Sequence, residues 1–224
     1  MKYQIKGETL PYVACRLSKG ESVFTESGGM AWMSENIKME TNMRGGIGGA
    51  IGRAFSGESL FLVNYLATED NAEIGFTSEF PGKIIEFKLS GNEIICQRDA
   101  FMFAETGVEL KVHLRKKLGM SMFGGEGFVL QKLTGKGLAF VEIAGSVEMR
   151  ELDKGENLVV DTGYVAAYEA TVSSEIKMVK GFKNILFGGE GLFLTKLTGP
   201  GKVWLQSMPV TELSKKILKY IPKN

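Results

Sequence analysis

A single histidine and two cysteines leave too few side chains for the usual zinc sites, whose ligands come largely from these types. His113 stands in an alternating apolar and polar segment with no serine or cysteine near it in sequence, which argues against an imidazole-centred triad. Cys15 and Cys96 lie in apolar stretches without C-x-x-C spacing and read as inert thiols of a reducing compartment. Charge of one sign is lacking as well. With 27 basic against 26 acidic residues the net charge is +1, which gives no global steering toward nucleic acid or an anionic membrane. The smoothest apolar run, residues 45–55, contains Arg53 and falls far short of the roughly 20 residues a spanning helix needs. Lys2, Lys6, Glu8, Arg16 and Lys19 break any signal-peptide core, so the expected location is the cytoplasm. The Gly-Lys pairs at 82–83, 135–136 and 201–202 are followed by Ile84, Gly137 and Val203, where a phosphate-binding loop needs serine or threonine. No cofactor and no catalytic residue emerge, and the chain is not expected to be an enzyme.

What the chain does have is internal likeness. From Phe123 to Gly137 and from Phe187 to Gly201, 11 of 15 aligned positions are identical; unrelated segments of ordinary composition match at roughly one position in fifteen. The shared string is F-G-G-E-G, three further positions, then x-K-L-T-G-x-G, and Phe55, Gly57, Glu58, Leu60, Phe61 and Leu62 preserve a fainter copy. A second motif alternates with it at 17–21, 89–93 and 152–156, and its glycine precedes the next F-x-G-E phenylalanine by 35, 32 and 32 residues. Two motifs that keep phase through the chain imply three similar units. We expect one compact domain over residues 1–224, with units near 1–60, 61–125 and 126–200 around a pseudo-threefold axis and a segment 201–224 closing the ring.

Short runs rich in Val, Ile, Phe and Tyr between Gly, Asn and Asp breaks predict an all-β chain. Strands are expected at 12–17, 60–66, 83–89, 108–114, 128–134, 138–143 and 203–208, with period-two alternation in the third and fourth marking half-buried sheet. Asp70-Asn71, Gly135-Lys136-Gly137 and Gly199-Pro200-Gly201 read as hairpin turns. One short C-terminal helix is predicted over 211–220, capped by Thr211, with Leu213, Ile217 and Ile221 packed on the β core and Lys215, Lys216 and Lys219 in solvent. Trp32, Phe103 and Tyr168 predict a repeated aromatic core layer, and Met30, Met33, Met39, Met43, Met120 and Met122 are expected to fill core.

Two constellations are candidate sites. Arg44 and Arg53 flank a glycine-rich stretch whose simpler reading is a tightly packed connector; the corresponding places in the other units hold Arg115, Lys116 and Lys180, and threefold closure would gather them into an anion-binding end. Glu58, Glu126 and Glu190 recur in F-x-G-E, where they either hold a cation about the axis or accept backbone hydrogen bonds within their own glycine turns. The turn role is the simpler, and no metal is assigned.

Gly-Glu-Ser-Leu-Phe at 57–61, Phe-Gly-Gly-Glu-Gly at 123–127 and 187–191, and Leu-Thr-Gly-x-Gly at 133–137 and 197–201 resemble the altered inheritance of mitochondria protein 24 family over nearly the whole chain. The resemblance implies a TRAP-like fold of three β-sandwich-like units exchanging terminal strands, named for the tryptophan RNA-binding attenuation protein. Prokaryotic members have no defined activity, mitochondrial relatives are implicated in inner-membrane organisation, and the family supplies no catalytic residue to carry over. The resulting expectation is a protein of undefined molecular function, a non-enzymatic scaffold or interaction protein working through an unidentified protein partner. Homo-oligomers and peripheral membrane contact by the basic helix fit the same reading. The alternative is a ligand- or RNA-binding module, which the near-neutral charge disfavours.

Overall fold

The computed structural model describes residues 1–26, 28–42, 62–116, 128–178, 193–218 and 220–221. They form eighteen strands and one α-helix, so the chain is predominantly β. The first third contributes β1 (Lys2–Lys6), β2 (Tyr12–Leu17), β3 (Ser22–Glu26), β4 (Met30–Met33), β5 (Ile37–Asn42), β6 (Leu62–Ala67) and β7 (Ala72–Thr77). The middle third contributes β8 (Gly82–Ser90), β9 (Ile94–Gln97), β10 (Phe101–Glu105), β11 (Val108–Lys116) and β12 (Phe128–Ala144). The last third contributes β13 (Val147–Leu152), β14 (Asn157–Asp161), β15 (Val165–Glu169), β16 (Ser173–Met178), β17 (Phe193–Thr198), β18 (Gly201–Gln206) and α1 (Val210–Leu218). Short 3-10 turns at Arg98–Ala100 and Thr162–Tyr164 precede β10 and β15.

Among the described strands pairing is antiparallel throughout, and the same order of pairings is found in the strands described within 12–77, 82–144 and 147–206. The opening strand pairs the closing one in β2·β7, in β8 with the second half of β12, and in β13·β18. The second strand pairs the penultimate one in β3·β6, in β9 with the first half of β12, and in β14·β17. The third strand pairs the last through a register shift between Met30 and Trp32, between Phe101 and Phe103, and between Val165 and Ala167. Adjoining thirds are joined by β3·β10 and β9·β15. Among the described residues, no strand before Ser78 pairs with a strand after Gly145, and β4 and β14 stand at sheet edges.

The alternation read in the sequence is realised in β8, where Phe87 and Leu89 are buried while Glu86 and Lys88 face solvent, and in β11, where Val108 and Leu110 are buried between Glu109 and Lys111. The expected hairpin turns are corrected. Residues 128–144 form one strand that runs through Gly135 and Gly137; β6 and β7 do not pair each other across Asn71, nor do β17 and β18 across Gly199-Pro200-Gly201. At these corners the chain leaves one partner and joins another. Gly137 and Gly201 have φ of +141° and +137°, which side-chain-bearing residues rarely adopt. Carboxylates fix both corners: Glu105 Oε2 accepts from Leu138 N at 2.8 Å, and Glu169 Oε2 accepts from Lys202 N at 2.9 Å.

The cross-strand pair beside each register shift carries at least one aromatic ring. Trp32 pairs Gly75 and its ring lies over the glycine, Phe103 stacks on Phe140, and Ala167 pairs Trp204. Phe76, Phe103 and Phe140 form a continuous buried stack with centroids 4.0 and 4.4 Å apart. The predicted aromatic layer therefore holds for Phe103 and Tyr168 and fails for Trp32, which is 42% exposed on β4, a strand without an outer neighbour among the described residues. The methionine expectation is likewise corrected at Met33 and Met39, which are exposed, while Met30 is half-buried; Met43, Met120 and Met122 lie outside the described residues.

The C-terminal helix exists but does not pack as expected. It starts at Val210, with Pro209 O accepting from Glu212 N and Leu213 N, so Thr211 lies inside the first turn rather than at the cap. Leu213 is half-buried, whereas Ile217 and Ile221 are 52% and 53% exposed, so the apolar face is anchored only at its start. No helix among the described residues is long and apolar enough to cross a membrane.

Candidate functional site

Most residues of the two predicted constellations, Arg44, Arg53, Lys180, Glu58, Glu126 and Glu190, lie outside the described residues. Arg115 and Lys116 occupy the last two positions of β11, opposite Val129 and Phe128. Residues 43–61 connect the paired ends Asn42 and Leu62, residues 117–127 connect Lys116 and Phe128, and residues 179–192 connect Met178 and Phe193. Each F-x-G-E string thus falls between the two strands of an antiparallel pair. The glutamates of the second motif have visible work: Glu21 accepts from Ser18 N and Glu156 from Asp153 N, both at 2.8 Å, while Asn92 takes this place by accepting from Ser90 N.

His113 sits at the register shift of β11, and its electrostatic neighbours are Lys132 and Glu93, themselves paired at 2.8 Å. Burial and then Lys132 hold the imidazole below its ordinary range, with Glu93 opposing. Cys15 and Cys96 are buried and unpaired, and burial pushes both thiols up to about 12, which removes thiolate reactivity near neutral pH.

The densest polar grouping lies where the first third meets the second, and sequence reasoning missed it. Gln131, fully buried in β12, donates from Nε2 to Glu26 Oε1 at 2.8 Å, and Arg98 Nε lies 3.7 Å from Glu26 Oε2. Burial raises the Glu26 carboxyl above its ordinary range, Arg98 and the Gln131 amide pull against that, and Asp99 reinforces it. On β12 the Glu142 carboxyl is pushed up to about 7, first by burial and then by the charges of Glu79 and Asp99, although it accepts from Glu79 N at 2.9 Å. Ser78 Oγ, buried beside it, has no hydrogen-bond partner of ordinary geometry.

The junction between the second and last thirds is neutral. Gln206 Nε2 donates to Gly163 O at 2.8 Å and reaches Gln97 Oε1 at 3.4 Å, while Gln97 Nε2 donates to Thr162 O at 3.3 Å. Thr162 Oγ1 donates to Phe193 O at 3.0 Å. Glu26, Gln97 and Asp161 close β3, β9 and β14 respectively, so the polar junctions grow from one structural position. The visible signal was a lone amide in an apolar run, as in Phe128-Val129-Leu130-Gln131. These contacts tie strand ends and turns together. Among the described residues no group of three or more His, Cys, Asp or Glu is placed to hold a metal, and the acidic junction presents a titrating group near neutrality with its bonds already directed to the protein itself.

A family model described as mitochondrial biogenesis AIM24 matches residues 3–208. An uncharacterized protein of Streptococcus pyogenes serotype M6 is 28% identical over 220 residues, which cover 95% of this chain and 87% of that one. The X-ray crystal structure of another Streptococcus pyogenes protein superposes with a TM-score of 0.79 at 23% identity, covering 98% of this chain and 99% of the other. At that identity the superposition speaks for the fold.

Proposed function

Since the chain belongs to the mitochondrial biogenesis AIM24 family, whose molecular function is undefined, we propose that it is a non-enzymatic scaffold or interaction protein. Its body consists of three similar β units in one domain. The observation that carries this reading is the recurrence of one pairing scheme, with the same register shift before Trp32, Phe103 and Ala167. The second motif serves that body, since Glu21 and Glu156 close their own turns. Strand pairing favours unit boundaries near 78–82 and 144–147 over the 60 and 125 read from the motifs, because the latter would fall between paired strands. The buried, unpaired thiols support a reducing compartment, which we take to be the cytoplasm.

Native mass spectrometry of protein purified gently from its own cells tests the reading. A retained protein partner at defined stoichiometry is the expected result. A chain that emerges alone, or with bound RNA in place of protein, would overturn it.

A further inference from the structure

The two junctions inside the chain use the same positions but bond them with opposite chemistry. Val141 and Leu205 correspond, because each pairs the residue before a register shift, Phe101 or Val165; Glu142 and Gln206 follow them and correspond as well. Asp99 and Gly163 correspond, each two residues before that same Phe101 or Val165 in a 3-10 turn. Glu26 corresponds to Gln97, each three residues beyond Val23 or Ile94, which pair Glu105 and Glu169 across the junctions.

At the second junction the Gln206 amide works in both directions. Its Oε1 accepts from Ala144 N at 3.4 Å, while its Nε2 donates to Gly163 O at 2.8 Å and reaches Gln97 Oε1 at 3.4 Å. At the first junction Glu142 Oε2 accepts from Glu79 N at 2.9 Å, and Glu79 holds the place of Ala144, each three residues beyond Phe76 or Val141. The accepting half of the tie is therefore kept. The donating half is not, because the second oxygen of Glu142 takes the place of the Gln206 N–H and an ionised carboxylate has no hydrogen to give. Ser78 Oγ, buried beside this carboxyl, also lacks a partner. The charges acting on Glu142 are themselves carboxylates, Glu79 from the connector and Asp99 from the turn. Arg98 of that turn lies 3.7 Å from Glu26 Oε2 at the end of β3, and β8 sets Ile84 opposite Glu142.

We propose that Glu142 is a proton-operated latch of the first junction: protonated, it donates to the Asp99 carbonyl as Gln206 donates to that of Gly163, and ionised, it loosens the Arg98–Ala100 turn from β12. Burial, Glu79 and Asp99 push the carboxyl up to about 7 from 4.5, so the latch is closed below the lower value and released as pH rises through the upper one. The last junction, with an amide at this position, has no such dependence. The latch rests on the shared pairing scheme alone and goes beyond the scaffold reading.

Hydrogen exchange of the full chain read by mass spectrometry, with labelling times scaled for the intrinsic effect of pH, tests it. In the wild type the opening that exposes residues 98–105 should become about tenfold more frequent between about pH 5 and pH 7, while residues 162–169 keep their protection. Glu142→Gln, which copies the Gln206 chemistry, should remove most of that rise, leaving the share owed to Glu26. Gln206→Glu should transplant the rise to residues 162–169. Constant protection at the first junction, an equal rise at both junctions, a rise retained in full by Glu142→Gln, or a second junction still indifferent to pH in Gln206→Glu would overturn the proposal. None of these results bears on whether a protein partner is retained, so the scaffold reading stands or falls separately.

Discussion

Replacing Phe103 by alanine should be the most damaging single truncation at the first junction, and the structure sets its size. The ring is fully buried and lies between Phe76 of β7 and Phe140 of β12, with centroids 4.0 and 4.4 Å away and planes within 11° and 8° of parallel. Removing it forfeits the transfer free energy of a buried phenyl group and leaves a cavity whose walls are themselves rings held by two strands, so relaxation is limited. Phe→Ala truncations of this sort cost about 3–5 kcal/mol. A chain of this length has a urea slope of about 3 kcal/mol per molar, so 4 kcal/mol should lower the midpoint by about 1.3 M. Trp32→Ala, at the corresponding place in the first unit, is the internal control. Its ring lies on Gly75 and touches Tyr12 edge-on but is 42% exposed, so the shift should be less than half as large. Urea titrations followed by far-ultraviolet circular dichroism give both numbers. A Phe103→Ala shift no larger than that of Trp32→Ala would refute the claim that this stack holds the junction.

Two further outcomes follow from buried ionisable groups. Glu142 has its folded pKa raised to about 7 from 4.5, so its contribution to stability is fully present below the unfolded value and is lost as pH rises through 7. Glu142→Gln should flatten the stability profile between pH 4.5 and 7 and stabilise the protein at pH 8 by at most about 3 kcal/mol, read from urea midpoints across pH; an unchanged profile would count against the burial of that charge. Cys15 and Cys96, with thiols raised to about 12, should not react with a disulfide reagent in the native protein at pH 8 and should both react in guanidinium. Fast native labelling at either residue would contradict its burial.

The all-β class was legible because the apolar residues recur at period two, and that period fixes which face of β8 and β11 is buried whatever the partner strand. The phased motifs were legible for a similar reason. A glycine required for backbone shape, or a glutamate that closes its own turn, leaves its mark within a few residues. The destination of a strand after a glycine corner leaves no such local mark. Gly135 to Gly137 looks like a hairpin in sequence, yet the chain continues as one strand because β8 and β10 offer a second set of partners beyond the corner. The polar junction was hidden for the same reason, since Glu26, Arg98 and Gln131 are far apart in sequence and meet only through the sheet.

The sequence by itself determined that the chain is predominantly β, because side-chain alternation and turn chemistry act over a handful of residues. Only the tertiary structure decided which strands meet, why Phe103 is buried while Trp32 is exposed, and that β4 and β14 have no outer partner among the described residues. Those outcomes depend on pairing between segments distant along the chain, where the hydrogen-bonding groups of every backbone are alike and the packing of side chains makes the choice.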